Sequence, residues 1–147
     1  MTTQHHELEV SRLIRADRDR VFEAWTDPAQ IVAWWGAGGV VCTHAEMDLR
    51  VGGTYRISNQ MPGGPTMWIT GTFSVVDAPM RLEYSWAMEP LTEESDYSVV
   101  EVTFGEADGG TLVTVAQTRI PSSEVHDMHL AGWIGCLDGL AALVGRD

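Results

Sequence analysis

Ser122 to Val144, SSEVHDMHLAGWIGCLDGLAALV, reads as one long helix around which the rest of the chain is arranged. Pro121 stops what precedes it, the serines offer N-caps, and Glu124 puts an acid in the first turn. Apolar and small residues recur at helical spacing along Val125, Met128/His129, Gly132/Trp133, Cys136, Leu140 and Leu143. About twenty residues at 1.5 Å each make a rod of roughly 30 Å, enough to cross a small domain. Gly132, Gly135 and Gly139 interrupt it, each costing up to about 1 kcal/mol relative to alanine. One face of this helix must therefore stay shallow, either for close packing on a sheet or to leave a space.

Upstream, the apolar period is mostly two. Glu7 to Arg15 alternates Leu8, Val10 and Ile14 with polar residues, a strand with one wet face. Asp17 or Asp19 then caps a short helix through Val21, Phe22, Ala24 and Trp25. Asp27-Pro28 stops it and starts a second, Ala29 to Trp35, ending at Gly36, so the two pieces form a V. From Val40 the alternation resumes through Asp48. A tight turn at Val51-Gly52-Gly53-Thr54 leads into Tyr55 to Ser58, and Asn59 to Pro65 is a loop. Thr66 to Val76, Met80 to Met88, Ser95 to Glu106 and Thr111 to Thr118 complete the strands, joined by hairpin-sized gaps. The expected architecture is α+β: a curved antiparallel sheet of about seven strands wraps a long C-terminal helix, and the helical V closes one end. A strongly curved sheet cannot touch a straight rod everywhere, so a cavity between them is expected on geometric grounds.

The 147 residues fit one domain, 1–147, with enough chain for a full core. A formal charge of −12 argues against nucleic-acid and anionic-membrane partners, which require a basic footprint. All nine basic residues are arginine, which excludes Schiff-base lysine chemistry. Cys42 and Cys136 have no metal or redox spacing and read as buried thiols in a reduced compartment. The polar opening Met1 to Glu7 and the absence of any apolar run near 18 residues predict a soluble, cytoplasmic protein. No cofactor motif is present: Gly52-Gly53 and Gly63-Gly64 are turns with no helix after them. His44, His126 and His129 are a loose set; His126 and His129, three apart, could ligate a metal but have no third ligand at recognisable spacing, so no metal is expected.

Four stretches carry a family resemblance. DRVFEAWTDPAQIVAWWGAGG (19–39), EMDLRVGGTY (46–55), GTFSVVDAPMRLEY (71–84) and HLAGWIGCLDGLAAL (129–143) resemble, in order, motifs of the activator-of-heat-shock-chaperone-ATPase-like family. The resemblance covers nearly the whole chain. It implies the helix-grip fold of the START-like, birch-pollen-allergen-like (SRPBCC) superfamily, whose cavity typically holds an apolar or aromatic small molecule. It implies no activity, since relatives include plain binders, cyclases and hydrolases. The co-chaperone that names the family carries an additional N-terminal domain with no counterpart in these 147 residues, so a chaperone partner is not expected.

Candidate ligand-binding residues follow from parity and position: Trp35, Met47, Trp68, Tyr84, Trp86, Met128, His129 and Trp133. Leu82, Tyr84, Trp86 and Met88 share one strand face, and if it looks inward Tyr84 and Trp86 become cavity walls or ordinary core. Trp68, Met67 and Met61 adjoin the Gly/Pro loop at the expected cavity mouth, while Trp34 and Trp35 should split between helix packing and the entrance. His129 and Trp133, four apart, stack on one helix face. His129 reads first as a residue that hydrogen-bonds a partner and fixes the helix on the sheet, and is the single catalytic candidate, a general base near pH 7. Arg50 and Arg56 are surface ion-pair residues or carboxylate clamps. Three functions remain open: a binder of a small apolar ligand; a cyclase- or hydrolase-like enzyme using His129 with Tyr84 or Arg50; and an interaction module, chaperone-associated or self-associating. A homodimer through the helical V or an edge strand is compatible with each.

Overall fold

The computed structural model describes residues 6–36, 40–60, 62–89, 98–120 and 122–145, without the side chains of 88 and 89. The chain runs β1 (His6–Ile14), α1 (Arg18–Thr26), α2 (Pro28–Trp34), β2 (Ala45–Met47), β3 (Thr54–Gln60), β4 (Thr66–Asp77), β5 (Arg81–Glu89), β6 (Ser98–Ala107), β7 (Gly110–Ile120) and α3 (Ser123–Val144). All seven strands join one antiparallel, curved sheet in the order β1-β7-β6-β5-β4-β3-β2. It is a meander from β2 to β7, with β1 returning to pair beside β7.

Asp17 stands at the N-cap of α1 without a side-chain cap hydrogen bond, whereas α2 and α3 begin where short polar side chains replace missing backbone partners. Ser122 Oγ accepts from the Val125 N–H at 3.2 Å and caps α3. Asp27 Oδ1 accepts from Ala29 N–H at 3.0 Å, with Pro28 at the first helical position of α2. The buried face of α3 is Trp133, Cys136, Leu137, Leu140 and Val144, a helical stripe. It lies over β1 and against α2, and an Arg12–Asp138 ion pair fastens β1 to it.

On the sheet, the inward phase is Leu82, Tyr84 and Trp86 on β5, Val100, Val102 and Phe104 on β6, and Val113 and Val115 on β7. Trp25, Trp34, Trp35, Trp86 and Trp133 form one continuous cluster, with ring centroids 4.9–6.1 Å apart between neighbours. The first helical pair thus fills one half of the space between sheet and α3 with indole rings. Trp34 and Trp35 do split: Trp34 Nε1 donates to the Ala24 carbonyl at 2.8 Å inside the V, whereas Trp35 Nε1 donates to Asn59 Oδ1 at 2.8 Å.

Two boundaries differ from the sequence reading for local reasons. The strand expected from Val40 to Asp48 is reduced to Ala45–Met47, with Val41 making only an isolated bridge to Gln60. Ser58 Oγ accepts from the N–H groups of Thr43 and His44, each at 3.0 Å, and so takes donors that a longer ladder would use. The loop expected from Asn59 starts later, because Asn59 and Gln60 continue β3 opposite Met67 and Thr66.

The glycines of α3 have separate causes. A Cβ on Gly139 would stand 2.4 Å from the Trp34 carbonyl oxygen, so this residue lets α3 approach the α2 backbone closely. A Cβ on Gly132 would meet nothing within 4 Å. Gly139→Ala should lower the urea midpoint, since overpacking against backbone costs about 1–3 kcal/mol. The gain in helix propensity, up to about 1 kcal/mol, does not offset it.

Candidate functional site

The open space lies where α3 is shallowest. A cavity of about 560 Å³ is bounded by Trp35, Gly36, Val40, Asn59, Ile69, Trp86 and the α3 residues Met128, His129 and Ala131 to Cys136. Its sheet wall comes from β3, β4 and β5, its helix wall from the stretch of α3 containing Gly132 and Gly135. The lining is predominantly apolar. Met128, 58% exposed, and Ile134, also exposed, stand at its rim.

Of the residues singled out in the sequence, the structure brings Trp35, Trp86, Met128, His129 and Trp133 together around this cavity. Met47 and Tyr84 lie elsewhere. They border a void of only about 10 Å³ among Trp25, Trp34, Tyr55 and Phe73, where α1 and α2 have filled the interior. The Tyr84 phenol bonds to the Trp25 indole, and burial pushes its pKa above the ordinary tyrosine value. Trp68 is on the opposite face of the sheet. Its ring carries the Arg56 guanidinium 3.8 Å above it and meets His44 edge-on. Arg50 is exposed and paired with Asp48 at 2.8 Å, away from the cavity. Met61 lies outside the described residues, as does the Met88 side chain.

Asn59, Ile69 and Gln117 were not anticipated. Asn59 belongs to the inward phase of Tyr55 and Ile57, a signal lost once the strand is ended early. Gln117 is completely buried, in phase with Val113 and Val115, so a polar residue on an apolar strand face was the readable sign. Its Oε1 accepts from Trp133 Nε1 at 2.9 Å and its Nε2 donates to Ser98 Oγ at 2.8 Å. Trp133 is thereby held to the sheet through its nitrogen, while its ring stacks on Trp25 of α1.

Two buried polar atoms have no partner among the described residues, Trp86 Nε1 and His129 Nδ1, and their rings are neighbours at 5.9 Å. The His129 pKa is held below its ordinary 6.5 by burial, with the His126 charge acting in the same direction. The imidazole is therefore neutral at pH 7. Cys136, at the cavity wall, has its thiol pushed up to about 11 by burial, against an opposing Gly36 backbone hydrogen bond, and is not a thiolate nucleophile. Both cysteines are free and buried. Among the described residues no group of three or more His, Cys, Asp or Glu is placed to hold a metal ion, and no helix is long and apolar enough to cross a membrane.

His129 predicts a measurable pH effect. Above pH 6.5 the residue is neutral in both states and contributes nothing to pH dependence. As pH falls through 6.5 the unfolded chain binds the proton first, so stability declines until the lower folded-state pKa is passed. Urea titrations at pH 7.5 and 5.5 should therefore show a smaller acid loss in His129→Gln than in the unmodified protein.

A curved antiparallel sheet around a C-terminal helix, with a helical pair after the first strand and a cavity at the helix, defines a helix-grip protein of the START-like class. The chain belongs to the Activator of Hsp90 ATPase homolog 1-like family, whose model matches residues 15–145. A protein of Chromobacterium violaceum is similar over 97% of this chain and 99% of its own, at 25% identity and a TM-score of 0.85. An AHSA1-like protein of Aeromonas hydrophila is 29% identical, with 93% of this chain and 90% of its own covered and a TM-score of 0.76. A Mycobacterium smegmatis protein at 24% identity and TM-score 0.81 shares the fold over 96% of this chain and 91% of its own. No functionally curated protein matches the sequence.

Proposed function

We propose that this protein binds a small apolar or aromatic molecule in the cavity between sheet and α3, for sequestration, transport or sensing. The observation that carries the reading is the apolar space of about 560 Å³ beside Gly132. A glycine in mid-helix is unfavourable, and here no neighbouring atom requires it, so the space itself is the feature it preserves. Three tryptophans, Trp35, Trp86 and Trp133, line the space and give it aromatic walls.

The enzymatic alternative places a cyclase- or hydrolase-like reaction on His129, whose neutral imidazole suits a general base. The groups the sequence offered as its partners, Tyr84 and Arg50, do not line the cavity, and the Cys136 thiol that does is not a nucleophile. Binding without turnover is therefore the better-supported reading.

The test is non-denaturing mass spectrometry of the freshly purified protein, followed by denaturing extraction. The expected result is a reproducible added mass released as a neutral apolar molecule. A chain that stays at its apo mass after incubation with a panel of apolar aromatics would overturn the reading. The same spectrum reports whether the chain is a homodimer.

A further inference from the structure

We propose that Trp86 and His129 form a clamp for the carbonyl oxygen of an uncharged, otherwise apolar ligand. The inference rests on the cavity being a binding site and adds the chemistry of what it takes.

The argument begins with the three indoles that line the cavity. Trp35 Nε1 is engaged by Asn59 and Trp133 Nε1 by Gln117, so two of the three donors are satisfied within the protein. Trp86 Nε1 is not, although the residue is only 8% exposed. A tryptophan nitrogen can only donate. A buried donor left unmade is costly, and natural structures leave few of them unexplained. The second unpartnered atom, His129 Nδ1, belongs to the adjacent ring. A neutral imidazole carries one N–H, so it can supply the second donor to a shared acceptor. Both atoms are covered in the free protein, and the broad terminal torsion of histidine allows its ring to turn toward an incoming group at small cost.

An acceptor with two lone pairs, a carbonyl oxygen, suits two unpartnered donors on neighbouring rings. A carboxylate does not. Among the described residues no arginine lines the cavity, the imidazole is neutral, the walls are apolar, and the chain carries a formal charge of −12. A buried anion there would lose its hydration without a counter-charge. The ligand class is thus a neutral ketone, aldehyde, lactone or amide on an apolar, preferably aromatic, body.

The experiment compares 2-acetylnaphthalene, 2-isopropylnaphthalene and 2-naphthoate, which share shape but present a ketone, no acceptor and an anion. Each is titrated into the ¹⁵N-labelled full chain, and the Trp86 indole signal is identified by its loss in Trp86→Phe. The ketone should bind about tenfold more tightly than the hydrocarbon, the ratio expected for one buried donor satisfied. It should also move the Trp86 indole proton downfield. Trp86→Phe and His129→Leu should each lower the ketone-to-hydrocarbon ratio toward one whatever each does to hydrocarbon affinity, because a merely structural role would weaken both ligands alike. Equal affinity for ketone and hydrocarbon would overturn the clamp and leave the cavity reading standing, as would preference for the naphthoate. Gly132 and Gly135 amides unmoved by all three would overturn both.

Discussion

Gly132→Phe should abolish most ligand binding while the protein remains as stable as before or becomes more so. The position lies midway along the part of α3 that walls the cavity, and a side chain there meets no protein atom within 4 Å of its Cβ. A benzyl group would divide the space and stand against Trp35 and Trp86, where a flat ligand has to lie. Affinity for a neutral apolar dye such as Nile red should fall about a hundredfold, on the order of 2.8 kcal/mol. Stability should move the other way. Replacing a mid-helix glycine recovers a few tenths to about 1 kcal/mol of propensity, and filling a cavity commonly adds about 0.5–2 kcal/mol. Opposite signs in one variant separate a functional void from a packing defect, because a residue that only fits the fold loses binding by losing structure. A variant that binds the dye unchanged would place the dye outside the cavity and remove the main support for the binding reading.

The same glycines show how far the sequence could be read. Three in one helix implied a shallow face, and the two possible reasons for it could not be told apart without knowing what lies opposite. The answer differs by position: the α2 backbone at Gly139, open space at Gly132. The antiparallel pairing of consecutive strands, the caps of α2 and α3 and the Trp34/Trp35 split were legible because they follow from period, turn chemistry and capping side chains, which are local; the pairing of β1 with β7 is not local and was not read. Parity on β5 was legible too. Depth was not: Tyr84 and Trp86 share one face of β5, yet only Trp86 borders the larger cavity. That difference depends on where the indoles of α1 and α2 come to rest, a contact between segments more than fifty residues apart in sequence. Met47 was placed by alternation, which does not say how far along the sheet the filled part extends, whereas Trp68 was placed by nearness to a loop, which overlooked that it alternates with Ile69 and faces away from the cavity. Gln117 is the opposite case, a polar residue in an apolar phase that alternation alone could have flagged.

Gln117 also gives the largest expected effect on folding. Its amide bridges the Trp133 nitrogen on α3 and Ser98 on β6, and all three residues are buried. Gln117→Leu keeps the volume but leaves the Trp133 N–H without a partner and takes a donor from Ser98 Oγ, which still reaches the Trp86 carbonyl at 3.4 Å. An unsatisfied buried group costs about 1–3 kcal/mol, and with the second lost bond the variant should lose about 2–4 kcal/mol of stability. Ligand affinity should fall as well, because Trp133 walls the cavity and its ring is no longer fixed. The decisive variant is Gln117→Leu combined with Trp133→Phe and Ser98→Ala. Removing every polar partner at once leaves little to desolvate without compensation, so the triple variant should be more stable than the sum of the single losses predicts, by at least about 1 kcal/mol. Urea denaturation of the single and triple variants measures this directly. If the losses add, the three residues contribute only by packing, and the orientation of Trp133 at the cavity is set by its aromatic neighbours alone.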